Sequence, residues 1–210
     1  MAGEVVAVGD DVTSFQVGDR VSANVMVDHI SGPPTPETKA SCMSGEKVDG
    51  VLTEYRVLPE HSLVHLPEHL SYEEGSTLPY ALGLLFNVYA MNLPTGQTVL
   101  VMGTSAVSLF ALQFASASGA TVIATSSSGE KLEFAMKLGA KYGIDYVKNK
   151  AWEREVLRIT NGVGVDHVVE VGGPGTWMQS LAALKYDGEL HVVGAQAEAR
   201  YCQVYILTHL

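Results

Sequence analysis

The stretch Thr98-Val-Leu-Val-Met-Gly-Thr-Ser-Ala-Val-Ser-Leu-Phe-Ala-Leu-Gln-Phe-Ala-Ser-Ala-Ser118 decides the fold. Residues 98–102 are a short apolar run of strand-forming type. From 107 to 118 the apolar side chains Val107, Phe110, Ala111, Phe114 and Ala115 recur at helical spacing instead. A strand therefore runs through one tight turn into a helix. That turn, Gly103-Thr-Ser-Ala-Val-Ser108, stands where a dinucleotide-binding fold puts G-x-G-x-x-G. The first glycine makes the turn, the second lets a pyrophosphate approach the backbone, and the third lets helix and strand pack closely. Only Gly103 is present here, with Ser105 and Ser108 at the other two positions. The helix start still offers free N–H groups and a positive dipole end to an anion. Ser105 either donates a hydrogen bond to a phosphate or stands in its way.

Toward the C-terminus the alternation continues. Runs at 121–125, 142–147, 166–171 and 189–193 read as strands, and segments at 130–138, 152–160 and 177–184 as helices. Short, wholly apolar strands separated by helices of about ten residues mean a parallel sheet covered on both faces. The expected order is 3-2-1-4-5, with a crevice at the strand C-termini beside the first strand. The second strand ends in Ala124-Thr-Ser-Ser-Ser128, and no acidic residue follows before Glu130. A site that prefers NAD keeps an acid here for the ribose 2′-hydroxyl. Ser126, Ser127, Ser128 and Lys131 suit a 2′-phosphate better, hence NADP. Alternatively, the serines simply cap the next helix and Lys131 is solvated.

Toward the N-terminus, residues 4–8, 20–27 and 50–58 are Val-rich, alternate with polar positions and are separated by turn clusters, so they read as β-strands. Residues 28–49 carry Pro33, Pro34 and Pro36 and no periodicity, which reads as a binding loop or a plain insertion. The 210-residue chain is 47% hydrophobic and 17% charged, enough for a sizeable core. Thirteen Lys and Arg against 23 Asp and Glu give a net charge of −10 without a basic cluster, which argues against nucleic acid as a partner. Cys42 and Cys202, 160 positions apart, exclude a disulfide scaffold and a cysteine-rich zinc lobe. The 55 uncharged residues from Gly75 to Gly129 are interrupted by Pro, Gly and Asn, so they read as core and not as a membrane span. With no signal-like N-terminus, the expectation is a cytoplasmic protein without membrane association. His61, His65 and His69 lie four residues apart, but Pro59 and Pro67 forbid one helix through them.

Together these segments resemble the medium-chain dehydrogenase/reductase superfamily, the zinc-type alcohol dehydrogenase-like and quinone oxidoreductase-like proteins. The resemblance is carried by Ala2-Gly-Glu-Val-Val-Ala-Val-Gly9, Val17-Gly-Asp-Arg-Val21, Gly50-Val-Leu-Thr-Glu-Tyr55 and Gly96-Gln-Thr-Val-Leu100. Residues 131–139, Gly164-Val-Asp-His-Val168 and Val171-Gly-Gly-Pro-Gly175 add to it. It implies an α/β architecture: a partial GroES-like β-barrel over 1–70, a Rossmann sheet lacking its last strand over 71–195, and a tail at 196–210 of unknown structure. It further implies that the chain starts just after the family's Gly-His-Glu segment and stops after the fifth Rossmann strand.

The implied activity is metal-independent, NADP(H)-dependent reduction of a carbonyl or activated C=C bond in a small organic substrate. Implied cofactor contacts are Gly103, Thr104, Ser105, Ala106, Val107, Ser126, Ser127, Ser128, Lys131, Tyr146, Val171, Gly172 and Gly194. Leu84 stands where the family has a cofactor-touching Thr, or else is a plain core residue. Tyr80 occupies the third position of the family's catalytic zinc ligands. A phenol substitutes poorly for a thiolate, so no zinc is expected. Tyr80 is then the candidate proton donor, or else a buried tyrosine bonded to backbone. A homodimer is the candidate assembly. The altered loop leaves three other readings open: a non-redox isomerase or cyclase, a pseudoenzyme or dimerising half, and an inactive truncated product.

Overall fold

A computed structural model describes residues 1–32, 35–43, 48–89 and 95–193, with the side chains of residues 39 and 81–89 outside that description. Contacts divide the chain into two units, Met1–Gly83 and Leu84–Leu210. In the first unit, β1 (Ala2–Glu4), β2 (Arg20–Ala23) and β3 (Leu63–His65) form an antiparallel sheet in the order β1-β2-β3. Arg20 fastens the end of this sheet: its guanidinium donates to the carbonyls of Glu68 and Leu70 and lies 4.7 Å above the Tyr72 ring. The adjacent helix is α2 (Tyr72–Tyr89). Ser71 opens it with a capping box, accepting from the Glu74 amide while the Glu74 carboxylate accepts from the Ser71 amide.

Three expectations for this unit need correction. Residues 50–58 form no strand, and Leu52 and Val57 are fully exposed. Alternation encodes a face, but a strand also needs a partner, and no described segment pairs with this one. The strand expected at 4–8 ends at Glu4, although Val5 still exchanges backbone hydrogen bonds with Gly18 and Asp19 before the chains part. The loop at 28–49 is not featureless. It holds a short helix, α1 (Pro36–Ala40), preceded by reciprocal Thr35–Thr38 hydrogen bonds, and Met26 bridges to Cys42.

The second unit holds a five-stranded parallel sheet made of β4 (Thr98–Met102), β5 (Thr121–Ser126), β6 (Tyr142–Asp145), β7 (Val165–Glu170) and β8 (Leu184–Val192). Its order is β6-β5-β4-β7-β8, which is 3-2-1-4-5 counted from β4, as the sequence predicts. The intervening helices are α3 (Ala106–Ala117), α4 (Gly129–Lys137), α5 (Trp152–Ile159) and α6 (Trp177–Ala183). Val99 and Val101 pack with Ala111, Leu112 and Ala115 of α3. Leu100 and Met102 point the other way, onto Trp152 and Val156 of α5 and Ala183 of α6. Both faces of β4 are thus buried, which is why its sequence does not alternate with polar residues.

At the other end of the strands, Asp166 ties three of them together. Its carboxylate accepts from the Thr98 amide at 2.7 Å and pairs with Lys185. Burial raises its pKa, but the Lys185 ammonium and the Thr98 amide outweigh this and hold it below the usual 3.8. Next to it, Gly164 adopts φ +91°, and a Cβ there would lie 2.6 Å from the Leu184 carbonyl carbon and the Lys185 nitrogen. Those are backbone atoms of β8 that cannot swing aside. Gly164→Ala is expected to lower the free energy of unfolding by roughly 2–4 kcal/mol, combining a left-handed backbone with a steric clash. Urea unfolding of the two proteins measures it.

Candidate functional site

A crevice of about 650 Å³ opens at the C-terminal ends of β4, β5 and β7. The strand order reverses beside β4, so the following connections leave toward opposite faces and the space between them stays open. Gly103 turns the chain out of β4 with φ +71°, and its amide donates to Thr125 Oγ1 at 3.3 Å. A side chain at this φ would be strained, so the one glycine kept from the motif is the one the turn requires.

The two serines answer the question the sequence leaves open. Ser108 is fully buried, and its hydroxyl donates to the Met102 carbonyl at 2.7 Å. Its single proton is spent there. The 2.9 Å contact between the two hydroxyl oxygens is therefore a donation from Ser105 to Ser108. Ser105 also caps α3, accepting from the Ser108 amide at 3.4 Å. Its hydroxyl is turned into the helix and offers no proton to an anion in the crevice. What remains for an anion is the pair of amides on Ala106 and Val107, since the next two are taken by Ser105 Oγ and the Ser105 carbonyl.

Gly103, Thr104, Ser105, Ser126, Ser127, Lys131, Tyr146, Val171 and Gly172 all line the crevice. Ala106, Val107 and Ser128 do not. The first two begin α3, and Ser128 accepts from the Lys131 amide as the N-cap of α4, so it serves the helix. Gly194 lies outside the described residues, as does the side chain of Leu84. Tyr80 belongs to the first unit and is 64% exposed on α2, which corrects the reading of it as a buried tyrosine. No single helix runs through the spaced histidines, since a one-turn 3-10 helix at Glu60–Ser62 gives way to β3; His61 approaches Asp28 at 3.3 Å and His65 packs on Phe15.

Sequence reasoning missed Lys150, Thr176, Gln179 and, above all, Glu170. Lys150 and Gln179 line the crevice, and the Gln179 amide donates to the Lys150 carbonyl at 2.7 Å. Glu170 ends β7 wholly buried. Its carboxylate accepts from the amides of Gly172 (2.6 Å) and Gly173 (3.0 Å) and from the hydroxyls of Thr176 (2.7 Å) and Ser180. Four donors converge on one acid, and together they fix the Val171–Gly173 turn that walls the crevice. The signal was a lone charge closing the apolar run Val168-Val169-Glu170-Val171.

With this geometry in place, comparison with known proteins gives a consistent result. Residues 1–68 match the alcohol dehydrogenase GroES-like domain, and residues 106–209 match the zinc-binding dehydrogenase family. The chain belongs to the medium-chain dehydrogenase/reductase superfamily. It is 47% identical over 197 residues to a zinc-type alcohol dehydrogenase-like protein of Schizosaccharomyces pombe, covering 92% of this chain and 57% of that one. A Sinorhizobium meliloti structure assigned to the alcohol dehydrogenases aligns with TM-score 0.82 at 40% identity, over 94% of this chain and 60% of that one. A mycobacterial structure complexed with NADPH aligns with TM-score 0.71 at 28% identity, over 92% and 55%. The chain therefore spans less than two thirds of the length of the superfamily members it matches.

The zinc of the superfamily can be tested against the donors present. A structural lobe takes four cysteines, and this chain has two in all. Among the described residues, three His, Cys, Asp or Glu donors converge at one place only, and it lies in the second unit, on β7 and β8. The described donors of the first unit do not by themselves make a catalytic zinc site, and no step is derived through one. A dinucleotide fits the crevice better: hydroxyls at the end of β5 and two lysines line it, and two free amides begin the helix that follows its Ser105 wall.

Glu170→Gln would set an NH₂ group among four donors that need an acceptor. It is expected to cost about 2–3 kcal/mol in unfolding free energy, read by chemical denaturation.

Proposed function

We propose that the chain carries the nucleotide-binding half of an NADP(H)-dependent oxidoreductase that reduces a carbonyl or activated C=C bond of a small organic substrate without a metal. One observation carries the cofactor preference: among the described residues lining the crevice none is acidic, while Lys131 and Lys150 are both present. A carboxylate at the end of β5 would hold a ribose 2′-hydroxyl and repel a 2′-phosphate. Here Ser126 and Ser127 occupy that place instead.

The pyrophosphate would lie against the Ala106 and Val107 amides, and the 2′-phosphate against Ser127, Lys131 and Lys150. The Val171–Gly172 turn, braced by Glu170, would flank the nucleotide on the side of β7. The bound cofactor supplies the hydride. The chain's own residues orient it, exclude water and provide a proton. Tyr80 is the proposed donor, being an exposed phenol on α2 at the position where the superfamily resemblance puts a zinc ligand. The assembly proposed is a homodimer, which sedimentation would register as twice the chain mass.

Fluorescence titration with NADPH and NADH tests the cofactor reading. NADPH should bind more tightly, and Lys131→Ala should weaken it by about tenfold, the loss of one charge-assisted phosphate contact. NADH affinity should barely change in that variant. Tighter binding of NADH than NADPH by the unaltered chain would overturn the proposal. Where turnover is measured, Tyr80→Phe should lower kcat by ~100-fold or more while leaving the NADPH dissociation constant in place, as removal of a general acid does.

A further inference from the structure

Far from the crevice, the sheet gathers three donor side chains that none of the roles above uses. Glu189 and His191 are two residues apart on β8, so their side chains leave the same face. β7 pairs with it in parallel, His167 opposite Glu189 and Val169 opposite His191, which sets His167 on that face as well. His167 Nδ1 lies 3.0 Å from His191 Nε2. Glu189 Oε2 stands 3.8 Å from the first of these nitrogens and 3.6 Å from the second.

Those last two separations are too long for hydrogen bonds. They are, however, close to the edges of a coordination tetrahedron. An ion with bonds of about 2.0–2.1 Å holds its ligand atoms roughly 3.3–3.4 Å apart. The remaining nitrogen of His167 is also accounted for: Nε2 lies 2.9 Å from Gln97 Oε1. An amide oxygen only accepts, so Nε2 carries the proton and Nδ1 turns its lone pair toward the cluster. Ligating histidines are oriented in this way by a partner outside the coordination sphere.

Both imidazoles are buried, while the Glu189 side chain is 48% exposed, so the gap between the three donors is reached from solvent past the carboxylate. We propose that His167, Glu189 and His191 form a binding site for a divalent first-row transition ion, Zn²⁺ foremost, with Gln97 as the positioning residue. Two imidazoles and one carboxylate are a donor set this class of ion takes, with the fourth position left for water. The site cross-links β7 to β8 at the sheet edge. His167 stands three residues before Glu170, roughly 10 Å back along β7 from the crevice wall. The inference is therefore independent of the cofactor reading.

The test uses the full chain with Cys42→Ser and Cys202→Ser, stripped with chelator, so that thiols do not compete. Calorimetric titration with Zn²⁺ should give one equivalent per chain, and Co²⁺ should give the visible absorption of a four-coordinate ion. Glu189→Gln and His191→Gln should each weaken Zn²⁺ by well over tenfold. Gln97→Leu should weaken it by about tenfold while the Co²⁺ band keeps its shape. Glu189 is half exposed, so its variant keeps the core intact even if the histidine variants unfold. Zn²⁺ should raise the thermal midpoint of the parent and not that of Glu189→Gln. Absence of one-equivalent binding, or an affinity untouched by Glu189→Gln and lowered instead by His61→Gln, would overturn the proposal.

Discussion

Strand β4 has no face left for water, and the rest of the second unit is arranged around that fact. Val99 and Val101 look toward α3 while Leu100 and Met102 look toward α5 and α6. A strand buried on both sides needs neighbours along both edges and helices on both faces. Right-handed crossovers supply them by sending the chain first to one side, through β5 and β6, and then to the other, through β7 and β8. Where the two directions part, the loops after β4 and β7 separate and leave the crevice. The site is thus a geometric consequence of covering the central strand, and its contents depend on what the strand ends happen to carry.

Two hydroxyl protons decide how the altered loop works. A glycine at position 108 would let helix and strand approach by having no side chain. Ser108 reaches a comparable end by donating to the Met102 carbonyl at the end of β4. That donation obliges Ser105 to give its own proton to Ser108, which in turn points the Ser105 oxygen at the Ser108 amide as a cap. The pair is self-contained, so the loop has exchanged open space for a local hydrogen-bond circuit. Glu170 does the equivalent work across the crevice, where a single carboxylate replaces the regular backbone partners that a turn of two glycines lacks.

The second unit was legible in the sequence because its signals are local. Strand runs of five or six apolar residues and helices with clear spacing fixed five strands, their order and the position of the crevice. The first unit was less so: residues 50–58 carry the right alternation, yet alternation says nothing about whether another strand is there to pair with. The site followed the same division. Gly103, Ser126, Ser127 and Lys131 sit next to strand ends in sequence and were found. Glu170 was missed although its partners are local, Gly172, Gly173, Thr176 and Ser180, because a lone charge at a strand end does not say that a turn and a helix will fold their donors back onto it. The His167–Glu189–His191 group was missed because its meaning lies in parallel register, which joins residues more than twenty positions apart.

Net charge and local charge point in opposite directions here, and distance decides between them. The chain carries −10 overall, which would repel a nucleotide bearing several phosphates. At physiological ionic strength, exposed charges more than about 8 Å away are largely screened. A phosphate in the crevice therefore responds mainly to what lines it, Lys131, Lys150 and hydroxyls with no acid among the described lining residues, and to the amide end of α3 that begins beside its Ser105 wall. Net charge of this sign disfavours polyanions at long range, whereas the anion of the cofactor proposed above would be governed by the lining it meets inside the crevice. The same division holds further back along β7, where the one exposed carboxylate of the proposed metal site, Glu189, sits at the mouth of two buried imidazoles.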